Sequence, residues 1–201
     1  TREYLTIVTS LIRSGEVSFT GRWHSGNAAY PGPRRAGLPV HLGAFGPRMV
    51  ELAGELADGL ILFLCSAEYV REVVMPSLRA GLARREADRG EFPVTLMLGI
   101  SVTEDSAERE AVSRAVAGYF RVPAYRRMFE ISGFDVDLKA GRPGDAMIDA
   151  ISALGSEQNL RDRIAEYRSA GVTQFTVSPL IGRFDRDRYV ETLRAALSCA
   201  S

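Results

Sequence analysis

The sequence predicts an α/β fold built on a parallel sheet, and three observations carry that reading. Residues 38–42, 60–64, 94–100 and 173–177 are short, nearly continuous apolar runs, the pattern of strands buried on both faces. Helical periodicities separate the runs. Two helix-to-strand junctions are alike, Ala57-Asp58-Gly59 before LILFL and Ser169-Ala170-Gly171 before VTQFTV. Each is a short αβ loop in which glycine supplies a positive φ. Repeated βα units of this kind make either an open doubly wound sheet or a (β/α)8 barrel. Four strands are too few for a whole barrel, which takes about 250 residues.

Taken in order, Tyr4, Leu5, Val8, Leu11 and Ile12 fall at helical spacing, and Gly15 after Ser14 supplies the C-cap. The chain opens at Thr1, inside this pattern, so a segment upstream of Thr1 is expected. Val17 to Trp23 alternates like a short surface strand, and residues 25–37, with their glycines and prolines, read as loop. Met49, Val50, Ala53 and Leu56 mark the helix after the first run. Tyr69, Val70, Val73, Val74, Leu78 and Leu82 mark the next, with a kink or break expected at Pro76. The stretch 117–155 reads as a helical and loop insertion within a single domain covering 1–201, its polar part, 135–145, being loop. Leu160, Ile164, Tyr167 and Val172 mark a helix capped by Ser156 and Gly171, and a last helix starts near Arg186.

Composition narrows the function classes. The 201 residues are 46% hydrophobic and 25% charged, with a net charge of +0, so no overall field draws the chain to nucleic acid or an anionic membrane. No run reaches the roughly 18 apolar residues of a membrane helix. Cys65 and Cys199 form no disulfide or metal framework, and two histidines, His24 and His41, are too few for a His-rich metal site. A cytoplasmic protein is expected. Lys139 is the only lysine among 25 basic residues, a bias that fits a GC-rich, actinobacterial genome.

The chemistry is concentrated where the first run hands over to its helix. In α/β folds ligands sit at the carboxyl ends of the strands, and Gly43, Ala44, Phe45 and Gly46 lie just past such an end. Glycines let backbone N–H groups approach a ligand. Pro47 suits a first helical turn, where its missing N–H costs nothing. The helix start favours an anion, and Arg48 adds charge. The expected chemistry is phosphate cradling; the alternative is a glycine-rich turn with no ligand. His41 shares a strand face with Gly43, and either faces the pocket or is a hydrogen-bonded core residue. Cys65, Ser66 and Ser178 follow strand ends and could line a pocket. Residues 103–106 read as a helix cap and Asp135-Val136-Asp137 as solvated acids. Tyr119, Phe120, Tyr125 and Phe129 read as core or interface, and Arg84-Arg85-Glu86 as a solvated helix face. No arrangement for nucleophilic catalysis is present, and no catalytic acid or base stands out.

Three stretches resemble the bacterial luciferase-like flavin and deazaflavin oxidoreductases: LPVHLGAFGPRMVELAGELADGLIL, PAYRRMFEISGF, and AISALGSEQNLRDRIAEYRSAGVTQFTV. The early IVTSLIRSGEVSFTGRWHS is similar to the family's helix and flap before its fifth strand. The resemblance implies a (β/α)8 barrel of which this chain holds about the C-terminal half, strands five to eight. It implies a cofactor phosphate at Gly43, Ala44, Phe45, Gly46, Pro47 and Arg48, with His41 standing where relatives often carry an aromatic residue. It further implies hydride transfer between coenzyme F420 and a small organic substrate, and a homodimer. The alternatives are an FMN-dependent monooxygenase and a shortened, non-catalytic flavin-binding relative.

Overall fold

The computed structural model describes residues 1–32, 37–86, 90–102, 106–180 and 185–199. Helix α1 (Arg2–Ser14) leads into a hairpin of β1 (Glu16–Thr20) and β2 (Ser25–Ala29). A parallel sheet follows: β3 (His41–Gly43), helix α2 (Pro47–Leu56), β4 (Gly59–Phe63), a helical run from Ala67 to Leu82, and β5 (Val94–Ser101). After β5 come α5 (Ser106–Ala117), a 3-10 turn (Gly118–Arg121), α6 (Pro123–Ile131), α7 (Asp135–Ala140), α8 (Asp145–Ile151) and the short β6 (Ser152–Leu154). Helix α9 (Glu157–Ala170), β7 (Gln174–Pro179) and α10 (Arg186–Ser198) complete the chain. Within the helical run, α3 is Ala67–Tyr69 and α4 is Met75–Leu82.

The central strand is β5. It pairs β4 along one edge and β7 along the other, while β6 pairs only its last residues, Gly99 to Ser101. Strand β3 pairs β4 from the far side, so the principal order is β3-β4-β5-β7, all parallel. The first expected strand thus begins at His41 rather than at residue 38. It is short because Pro39 has no N–H for a ladder.

The sheet is covered on one face only. Leu60, Leu62, Leu96, Leu98 and Ile100 are at most 1% exposed and pack with Val50, Ala53, Val74, Leu78, Leu160 and Tyr167 of the helices. Each such leucine contributes about 2 kcal/mol of burial. The alternate positions, among them His41, Gly43, Ile61, Phe63, Met97, Thr176 and Ser178, are exposed or half-buried. Burial on both faces, expected from the continuous runs, is therefore not found in this chain. The uncovered face mixes polar and apolar side chains, which is why β7 shows a strictly alternating burial pattern.

Helices α2 and α4 cross backbone to backbone. A Cβ added at Gly81 would lie 2.1 Å from the Glu51 carbonyl oxygen, and one at Gly54 would lie 2.8 Å from that of Leu78. At Pro76 the expected break becomes a π turn. The Met75 N–H donates to the Val70 carbonyl, one residue further back than in an α-helix, and Val70–Val74 widens to admit the proline ring. Ser156 accepts from the Asn159 N–H, and Gly15 and Gly171, at φ 76° and 111°, end their helices as expected.

Three further expectations are corrected. Residues 25–29 form β2, because β1 offers an edge that overrides the poor strand propensity of SGNAA. The polar stretch after Phe134 folds as α7, closed by Gly141 at φ 73°. Arg85 is not solvated: its guanidinium donates to the Ala57 carbonyl and lies 5.1 Å from the Phe92 ring centroid. Residues 103–105 of the expected cap fall outside the described residues.

One end of the sheet is closed by a carboxylate. Asp58, just before β4, accepts from the Val40 N–H at 2.9 Å and from Arg13 at 2.9 and 3.0 Å. This ties the end of α1 to the sheet at the end remote from Gly46. The hairpin grows from there and runs along α1. At its tip the Glu3 carboxylate accepts from the N–H groups of Arg22, Trp23 and His24 at 2.7–2.8 Å. No helix among the described residues is long and apolar enough to cross a membrane.

Candidate functional site

At the other end of the sheet, β3 passes into α2 through Ala44, Phe45 and Gly46. The Ala44 N–H is used within the sheet, donating to the Ile61 carbonyl at 3.1 Å. The Phe45 carbonyl accepts from the buried Tyr69 hydroxyl at 3.2 Å. Burial pushes the Tyr69 phenol up to about 12, so it stays a donor at any ordinary pH. The Gly46 carbonyl accepts from the Met49 and Val50 N–H groups, both at 2.9 Å, and starts the helix. With the carbonyls of Phe45 and Gly46 fixed in this way, the N–H groups of Phe45, Gly46 and Arg48 find no acceptor among the described residues.

The two glycines of this turn are not explained by the protein around them. Gly46 has φ −71° and ψ 141°, an extended conformation open to any residue. A Cβ built on Gly43 or on Gly46 meets nothing within 4 Å. Neither strain nor crowding requires glycine at these positions. What they provide is open space in front of free amides at a helix N-terminus, flanked by the exposed Arg48. Such a cradle fits a phosphate.

An aromatic wall runs from this turn across the strand ends. The Phe45 ring lies 4.5 Å from Tyr125, Tyr125 lies 4.8 Å from Tyr119, and Phe63 lies 5.5 Å from Tyr119. The aromatic stripe therefore divides: Phe120 and Phe129 are core, whereas Tyr119 and Tyr125 are half-buried on the wall. Desolvation raises the Tyr125 phenol, with Tyr119 a smaller cause. Beyond the wall, a cavity of about 270 Å³ opens between the ends of β5 and β7 and helix α5. Phe63, Met97, Val116, Tyr119, Ser178 and Leu180 are among its walls. Leu64, another lining residue, has φ 57°, the one positive φ at a non-glycine among the described residues.

The expected site residues separate accordingly. Gly43 to Arg48 form one continuous turn, and Ser178 lies on the cavity. His41 does not line the cavity. Its ring packs where Gly59 has no side chain, since a Cβ there would lie 2.8 Å from the imidazole. Cys65 is only 1% exposed, with its Sγ 3.5 Å from the Met128 Sδ, and burial pushes its thiol up to about 12. A thiol so placed is unreactive. The Cys65 carbonyl instead accepts from the Tyr167 hydroxyl at 2.8 Å, which anchors the strand end. Ser66 caps the next helical turn. Tyr69, Phe63, Leu64 and Met97 are the site residues the sequence did not expose. Only the contrast of polar and apolar positions along 174–179 could have signalled the open face.

Known proteins share the fold that carries these residues. A 5,10-methylenetetrahydromethanopterin reductase of Archaeoglobus fulgidus is 28% identical over 202 residues, 90% of this chain and 60% of its own length. The chain thus spans about 60% of the length of two such curated relatives. The structure of the coenzyme F420-dependent tetrahydromethanopterin reductase of Methanopyrus kandleri superposes with a TM-score of 0.70 at 23% identity, over 94% of this chain and 59% of that one. An F420-dependent secondary alcohol dehydrogenase in complex with an F420-acetone adduct superposes with a TM-score of 0.76 at 16% identity, over 99% and 60%. These likenesses show the fold, an α/β parallel sheet forming part of a barrel. The sequence model of the luciferase-like monooxygenases covers residues 1–174, and the chain belongs to that family.

Proposed function

We propose that this chain carries the phosphate seat and part of the substrate chamber of a coenzyme F420-dependent oxidoreductase. The observation that carries this is the turn at Gly43 and Gly46, whose missing side chains and free amides nothing among the described residues accounts for. Relatives named for F420 favour the deazaflavin over FMN. In this reading the amides of Phe45, Gly46 and Arg48 hold the phosphate of the cofactor tail, and the Arg48 guanidinium adds to the field. Pro47 fixes the helix start, and Tyr69 holds the turn so that these amides face outward. Ala44 acts through its place in the ladder. When bound, F420 supplies the acceptor or donor carbon for a hydride exchanged with a carbon of the organic substrate. The residues of this chain bind, orient and exclude water; the aromatic wall separates the seat from the cavity that Ser178 borders. A homodimer, a cytoplasmic location and an actinobacterial source belong to the same proposal, resting on resemblance and on the single lysine.

The test is titration of the protein with oxidised F420 and with FMN, followed by visible absorbance, in the native sequence and in Gly46→Asp. The expected result is F420 binding that Gly46→Asp weakens at least 100-fold, by bulk and by like charge. Equal affinity in the two proteins would remove the seat. Preference for FMN would move the assignment to the monooxygenase alternative, and binding without turnover by the purified protein to the non-catalytic one.

A further inference from the structure

The cavity beside the aromatic wall has a composition that selects its contents. Of its lining side chains, Phe63, Leu64, Met97, Leu98, Val112, Ala115, Val116, Ile151 and Leu180 are apolar and none is acidic or basic. A charged group placed there would lose its hydration with no opposite charge to replace it. Three hydroxyl-bearing residues of β6 and β7 reach it. The Ser152 hydroxyl is satisfied by the Ile148 carbonyl at 2.6 Å. Those of Thr176 and Ser178 have no partner among the described residues and sit on exposed positions at the rim.

Two backbone features shape this chamber. Leu64 holds a left-handed conformation that a non-glycine residue rarely adopts, and its side chain forms part of the wall. Gly99 lets Leu180 close the far side, because a Cβ there would lie 2.4 Å from Leu180 Cδ1. The volume of about 270 Å³ corresponds to roughly nine water-sized groups at about 30 Å³ each.

We propose that this chamber takes the uncharged hydrocarbon part of the substrate, about nine heavy atoms at most, while Ser178 and Thr176 offer hydroxyls to a carbonyl or hydroxyl at its near end. The proposal rests on the oxidoreductase reading and adds the class of substrate: an uncharged aliphatic carbonyl compound or alcohol rather than a polyanion or a zwitterion. Ala115 and Leu180 then set the length limit, Ala115 from the exposed face of α5 and Leu180 from the end of β7.

The experiment measures dissociation constants of straight-chain methyl ketones, from 2-butanone to 2-dodecanone, by calorimetry without cofactor. Affinity is expected to rise about four-fold per methylene and to level off near nine heavy atoms. Ala115→Phe should move the levelling to shorter chains and Leu180→Ala to longer ones, with circular dichroism confirming that each variant is folded. A rise that continues unbroken to twelve carbons, or a limit that neither variant moves, overturns the chamber and places binding on the open sheet face. No dependence on chain length overturns it as well. F420 titration of the same proteins is a separate arm, so loss of the cofactor seat and loss of the chamber are told apart.

Discussion

Two groups of neighbouring backbone N–H donors in this molecule have the same chemistry and opposite circumstances. At the hairpin tip, the N–H groups of Arg22, Trp23 and His24 converge on the Glu3 carboxylate. At the start of α2, those of Phe45, Gly46 and Arg48 meet no acceptor among the described residues. The first shows what such amides do when the chain supplies its own anion. The second is the same device left open, at the strand ends where α/β folds place ligands. A parallel contrast holds among the glycines. Gly54 and Gly81 are demanded by the crossing of α2 and α4, whereas Gly43 and Gly46 are demanded by no atom of the described residues.

The contrast can be broken or sharpened by substitution, in order of expected effect. Gly81→Ala drives a methyl into the Glu51 carbonyl and should cost about 3 kcal/mol in denaturant unfolding, with cofactor affinity of the folded fraction unchanged. Gly46→Asp should do the reverse: at least 100-fold weaker F420 binding, about 2.7 kcal/mol, with the unfolding midpoint nearly unmoved. Tyr69→Phe removes the hydroxyl that holds the Phe45 carbonyl, and about 1 kcal/mol of turn order should appear as roughly five-fold weaker F420 binding. Gly43→Ala adds a Cβ into open space, so stability should rise by about 0.5 kcal/mol while F420 affinity falls. If Gly43→Ala or Gly46→Asp changes stability as Gly81→Ala does, the two kinds of glycine are one kind.

The smallest effect concerns the filled amide group. Desolvation works against the Glu3 carboxylate, but the N–H groups of Trp23, His24 and Arg22 prevail and hold its pKa below the ordinary glutamate value. A carboxyl whose folded pKa is depressed contributes its stabilisation above its unfolded pKa and loses it as pH falls through the folded one. Trp23 is the sole tryptophan, so its fluorescence should titrate at a midpoint below the ordinary glutamate range. Glu3→Gln should abolish that transition. A midpoint at or above the ordinary value would separate the two amide groups after all.

Much of the layout was legible because local chemistry and tertiary context agree. Gly15, Ser156 and Gly171 cap helices whose apolar spacing already declares them; of the two similar junctions only Gly171 takes the expected positive φ, while Gly59 lies in β4 and leaves its side-chain space to His41. The turn at Gly43 was legible for a related reason: glycine, glycine and proline at a strand-to-helix boundary have few uses. Other features depend on partners that a linear pattern does not show. SGNAA becomes β2 only because β1 lies beside it. Arg85 leaves solvent because Ala57 and Phe92 await it. Cys65 looks available at a strand end, yet Met128 and the Tyr167 hydroxyl enclose it. The one-faced burial of the sheet was half visible: Thr176 and Ser178 alternate with apolar neighbours, but Ile61 and Phe63 conceal the same alternation in β4.

That one-faced burial has a consequence for assembly. The side of the sheet bearing Leu60, Leu62, Leu96 and Leu98 is sealed by this chain's own helices, so the unit brings a finished interior with it. Any second layer laid over His41, Ile61, Phe63 and Met97 would dock two prefabricated pieces instead of condensing one shared centre. Heating such a complex should melt it in two steps, docking lost first and this unit later.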